Sequence, residues 1–135
     1  MLFRSAPIAD DPIVEHPSTA VIPFQSITAA TKTVVAEACP SSTLKRLGLP
    51  HQNYKQTAGR SPEPKHIATR QTILLGIADQ VKITRHRRRI ILANPGGDAL
   101  DSVLAALGIW YAYRHSDHQT DHCHISFSRE GKVYA

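Results

Sequence analysis

Apolar positions follow a helical rhythm through most of the second half of the chain and fall into short β-type runs before it. From residue 97 to about 115, Leu100, Val103, Leu104, Leu107, Trp110 and Tyr111 share one broad arc of a helical wheel, which predicts a long amphipathic helix. Ile67, Ile73, Leu74, Ile77 and Ala78 predict another from 63 to about 81. A shorter helix over 85–92 is stopped by Asn94-Pro95-Gly96. The run 33–39, β-branched at its start and ended by Pro40, reads as a buried strand. Pro40-Ser41-Ser42 then opens a short helix through Leu44 and Leu47, closed by Gly48 and Pro50. Residues 21–24 read as a short extended piece kept at a sheet edge by Pro23. Residues 51–62 form a polar loop with a lone Tyr54, and a polar stretch from His115 leads to Ile125-Ser126-Phe127 and a closing segment at 131–134.

Composition narrows this to one α/β domain. The chain has 135 residues and is 41% hydrophobic, enough for a single core. Residues 1–32, broken by Pro7, Pro12 and Pro17 and carrying Asp10, Asp11 and Glu15, read as an irregular arm and edge segment, with the domain proper over 33–135. A net charge of +5 suits a polyanionic partner. Cys39 and Cys123 are far apart and match no metal or redox spacing, so reduced thiols and a cytoplasmic setting are expected. No secretory h-region and no run near the roughly 18 apolar residues of a membrane helix occur, so no membrane partner is expected.

Candidate chemistry centres on Asp98 and Asp101. Three residues apart, they are neighbours on the side of the long helix away from its apolar arc. Ser102, Ala105, Gly108, Ile109 and Ala112 share that side, where a solvated face would carry Lys, Glu or Gln. Two carboxylates among small and apolar residues repel each other and lose hydration, and a hard cation such as Mg²⁺ or Mn²⁺ would compensate. The other open reading is helix-start chemistry, with Asp98 as an N-cap or first-turn acid. The run Arg85-His86-Arg87-Arg88-Arg89 suits phosphate contact through Arg85, Arg87, Arg88 and Arg89, or else a solvated helix face. His115, Asp117, His118, Asp121, His122, Cys123 and His124 crowd together. A polar loop with incidental His density accounts for them better than a zinc site does. Trp110, Tyr111 and Tyr113 read as helix packing rather than as a base-stacking platform.

Taken in chain order, VVAEACPSSTLKRLGLP, the pair Tyr54-Lys55, PGGDALDSVLAALGIWYAYR and EGKVYA resemble the C-terminal part of a nuclease family catalogued as domain-of-unknown-function family 429. The resemblance implies a ribonuclease-H-like α/β fold. It puts Glu37 at the family's central-strand acid and Asp98 and Asp101 at its helix acids, which together would hold two Mg²⁺ or Mn²⁺ ions. One ion would help to generate the attacking hydroxide, and the other would stabilise the leaving oxygen of a phosphodiester. The family opens with a strand of the type "GvD", and residues 1–32 contain none: Asp10 and Asp11 lie in a Pro-broken segment. The fold is therefore expected to be N-terminally incomplete, with an unpaired sheet edge that invites self-association. The resulting expectation is a metal-dependent nuclease, inactive if truncated. The alternatives are a non-catalytic nucleic-acid-binding or interaction module, or a degenerate fragment.

Overall fold

The β-branched run after Lys32 becomes a strand in two pieces, interrupted at Ala36, and each piece finds a different partner. In the computed structural model, which describes residues 18–134 apart from 58, 117–120 and 122, these pieces are β2 (Thr33–Val35) and β3 (Glu37–Ala38). β1 (Thr19–Val21) pairs with β2 in parallel, Ala20 opposite Val34, and the Ile22 N–H extends the ladder to the Val35 carbonyl at 2.9 Å. β4 (Val133–Tyr134), near the far end of the chain, pairs with β3 in parallel, Glu37 opposite Val133 and Ala38 opposite Tyr134. Parallel partners need long connections: the helices supply the one between β3 and β4, and the irregular segment 22–32 supplies the one between β1 and β2.

Five helices are described: α1 (Pro40–Arg46), α2 (Pro64–Gly76), α3 (Arg85–Ala93), α4 (Asp98–His115) and α5 (Ile125–Glu130). The architecture is mixed α/β, with the helices carrying most of the ordered chain and strands of only two or three residues. α1 and α2 both begin at a proline, whose fixed φ suits the first helical turn. α3 starts on Thr84, whose hydroxyl accepts the Arg87 N–H at 3.3 Å. Among the described residues no single helix is long and apolar enough to cross a membrane.

The core has two parts. The larger joins Leu44 of α1, Tyr54, Ile73 and Leu74 of α2, Ile77, Ile91 of α3, and Leu100, Leu104 and Leu107 of α4. The smaller joins Ile22, Ala112 and Tyr134, with Ile27, Val34, Ala36 and Ile109 packed around them. α4 belongs to both, touching α1 and α3 on one side and β3 and β4 on the other. Its small-residue side is accordingly not an open acid-bearing face. Gly108 and Ala112 are buried, and Ile109 packs into the smaller cluster with Tyr134 of β4. Close approach of helix and strands accounts for Gly108 and Ala112, whereas Ser102, nearer the acids, is exposed.

Arg70 lies fully buried in α2 and ties three elements together. Its guanidinium donates to the Tyr54 carbonyl at 2.7 Å and to the Leu92 carbonyl near the end of α3 at 3.0 Å. Burial away from water pushes its pKa down.

Candidate functional site

Between α3 and α4 the chain turns through Asn94-Pro95-Gly96-Gly97, and this turn builds the site. Gly97 has φ +79°, a left-handed conformation that favours glycine. A Cβ there would lie 2.8 Å from Lys55 Cγ, so the bare backbone also lets the Lys55 side chain cross the helix start. Gly97 is the N-cap of α4 and offers no side chain for capping. Asn94 supplies one instead, its Oδ1 accepting the Ala99 N–H at 3.3 Å. Of the two helix-start roles open to Asp98, the N-cap is taken by Gly97 and the first-turn position is the one it holds. Asp98 and Asp101 both stand in the first turn, where the positive end of the helix dipole favours acids.

Asp101 is the centre of the site. Its side chain is 21% exposed, and both of its oxygens are engaged. Oδ1 accepts the Tyr54 hydroxyl at 2.9 Å, while Oδ2 pairs with Lys55 Nζ. Tyr54 is buried against the core and its carbonyl is held by Arg70. The Gln56 N–H donates to the Pro95 carbonyl at 3.0 Å, stitching the loop to the turn before α4. Burial, and then the neighbouring Asp101 carboxylate, push the Tyr54 phenol well above the ordinary tyrosine range. The loop is therefore no loose connection around a lone tyrosine. It delivers a hydroxyl donor and an ammonium to one carboxylate.

This arrangement changes the reading of the acid pair. The desolvated carboxylate does have a compensating cation, and that cation is Lys55, assisted by the Tyr54 hydroxyl. Asp98 stands one turn away, exposed. Glu37 lies exposed in β3, and the structure does not bring it together with the two aspartates as a ligand set. Among the described residues, no group of three or more His, Cys, Asp or Glu side chains is placed to hold a metal ion. Of the three carboxylates, Asp101 is the most enclosed and is committed to an ammonium, while Glu37 and Asp98 are exposed.

The basic run lands on α3. Arg85, His86, Arg87 and Arg89 are exposed and Arg88 is half-buried. None of them forms an ion pair with a carboxylate among the described residues. From the histidine-rich stretch, Asp117, His118 and His122 lie outside the described residues. His115 Nδ1 bonds back to the Tyr111 carbonyl at 2.8 Å, His124 packs on Phe127, and Asp121 pairs with Lys132. Cys39, at the start of α1, has its thiol pKa lowered, chiefly by a hydrogen bond from the Ser42 side chain. Trp110, Tyr111 and Tyr113 depart from the expected packing role: they are 49%, 37% and 47% exposed. The wheel placed Trp110 and Tyr111 on the correct arc, but the core ends before that arc does.

Sequence reasoning missed the Tyr54–Asp101 and Lys55–Asp101 contacts. The one available signal was the adjacency of Tyr54 and Lys55 in an otherwise polar loop, which carries no address for a partner more than forty residues away. Comparison of the chain with family models, with characterised proteins and with solved structures finds no match to any of them.

Proposed function

We propose that the chain is a nucleic-acid-binding module built on the second half of a ribonuclease-H-like domain, binding through the phosphate backbone without cleaving it. The observation that carries this reading is the arginine row of α3, which faces solvent with no described carboxylate to neutralise it. Exposed guanidinium groups one turn apart, as at Arg85 and Arg89, suit successive phosphates and displace condensed counterions on binding. Two further features support the ancestry. A parallel strand pair with a long helix laid across it is the arrangement expected for the back half of such a fold. The acid of that helix is neutralised internally by Lys55, which agrees with a binding role.

The test is a salt titration of binding to a short DNA or RNA duplex and to a single strand of the same length. Replacing Arg85, Arg87 and Arg89 together with Gln is expected to reduce the slope of log K against log salt by about 2 to 3. An unchanged slope would refute the assignment of this surface.

A second reading, a metal-dependent phosphodiester hydrolase, is favoured by one observation: Asp98 is an exposed carboxylate one turn from Asp101. Cleavage of nucleic acid with Mn²⁺ present, abolished in Asp101→Asn, would establish it. Cleavage equal in the wild type and the variant would remove Asp101 from any such chemistry.

A further inference from the structure

In the last turns of α4, Ala112 stays packed in the smaller core while the arc that faces the larger core runs past its last buried residue. Leu100, Leu104 and Leu107 are buried to 4% exposure or less, whereas Trp110 and Tyr111, continuing the same stripe, face solvent. Cations decorate these rings. The Arg46 guanidinium from α1 lies 3.8 Å from the Tyr111 ring centroid and that of Arg114 lies 5.2 Å from the Trp110 centroid, while the His115 ring stacks on Tyr111 with centroids 4.1 Å apart. The last turns of α1 and α4 bring Lys45, Arg46 and Arg114 to this end, and Asp101 and Asp98 lie about 14 and about 18 Å from Trp110 along the helix axis. Beside Trp110 runs a groove of about 390 Å³, floored by Val81, Val103, Ala106 and Leu107, with the Gln80 amide and the Ser102 hydroxyl as its polar groups.

We propose that this end of α4 is a stacking surface for single-stranded nucleic acid, with one base laid on Trp110 over the groove and the backbone drawn in by Arg46 and Arg114. The chemistry is specific to unpaired bases. An exposed indole offers a π-face to a base of any sequence, and flanking guanidinium groups meet the phosphates on either side. A duplex keeps its base faces stacked inside and has nothing to offer the ring. The groove, apolar with an amide and a hydroxyl at its wall, matches a heterocycle with a polar edge and does not match a lipid chain. The proposal takes its class of partner from the nucleic-acid reading above, but it uses none of the α3 arginines.

Trp110 is the only tryptophan in the chain, so its emission reports on this surface directly. The full-length protein is titrated with an oligothymidylate of roughly 20 nucleotides, with a duplex of equal length, and with inorganic polyphosphate. Quenching by the oligothymidylate alone is expected. Measured by anisotropy of the labelled strand, Trp110→Ala is expected to weaken binding by about fivefold to a hundredfold, and Trp110→Phe to retain most of it. Because Trp110 is half exposed, both variants are expected to keep the wild-type circular dichroism. If the strand binds while emission and the Trp110→Ala affinity stay unchanged, the stacking surface is refuted and the α3 reading stands. If neither strand nor duplex binds, both fall. Equal quenching by the duplex refutes the single-strand assignment.

Discussion

Asp101 shows how one side chain's surroundings decide between two chemistries. A carboxylate at a helix start, one turn from another, asks for a counter-charge, and the fold supplies it from a loop rather than from solvent ions. Removing the neutral half of that support is informative. Tyr54→Phe deletes the hydroxyl and leaves the ring in the core, so a loss of about 1–2 kcal/mol in denaturant unfolding is expected, with the fold retained. Alkaline pH probes the same site. Burial first, then a nearby carboxylate, raises the phenols of both Tyr54 and Tyr134, the latter to about 12. The folded state therefore favours the protonated phenols more than the unfolded chain does. Their contribution is complete below the ordinary tyrosine pKa of roughly 10 and is lost as pH climbs through the folded values. Stability measured between pH 9 and the upper alkaline range, roughly two pH units above it, is expected to fall, and the fall should be shallower in Tyr54→Phe. A stability that is flat across that window would contradict the burial of these hydroxyls.

At the level of elements, much of the helix pattern was legible because it rests on local signals. The proline at the head of α1, the Asn94-Pro95-Gly96 stop before α4 and the 3.6-residue period of α4 each act within a few residues. α2 ends at Gly76, short of the expected 81, since Ile77 closes it and the chain turns away. What stayed illegible depends on distance. The period of α4 tells which residues share a side, not how far along the helix a neighbour extends, so it predicts packing for Trp110 and Tyr111 although the larger core ends at Leu107. Arg70 gave no sign either: in sequence it is one cation in a polar stretch, and in the fold it spans from the Tyr54 loop to the end of α3. Only a planar, forked donor reaches both carbonyls at once. Arg70→Lys is expected to cost about 1–3 kcal/mol and to increase hydrogen exchange around Tyr54, since one carbonyl is left unpaired in the interior. Unaltered exchange at residues 54–56 would show that the loop is held by other contacts.

Over the whole molecule, charge and order are arranged unevenly. Cations gather on α3 and at the far end of α4, while the partnered acid lies between them at the start of that helix. The strands are too short to offer much of an edge for self-pairing. Their pairing has another consequence. β3 meets β4 across nearly the whole described chain, so the contact that buries Tyr134 against Ile22 and Ala112 closes one very long loop. Such a contact forms late, after its entropic cost has been offset by the helices between, and it contributes little to the rate-limiting nucleus. Tyr134→Ala is therefore expected to speed unfolding while leaving the refolding rate nearly unchanged. During synthesis every helix that touches the larger core is made before β4 exists, so the molecule can assemble its helical half first and latch the strand pair afterwards.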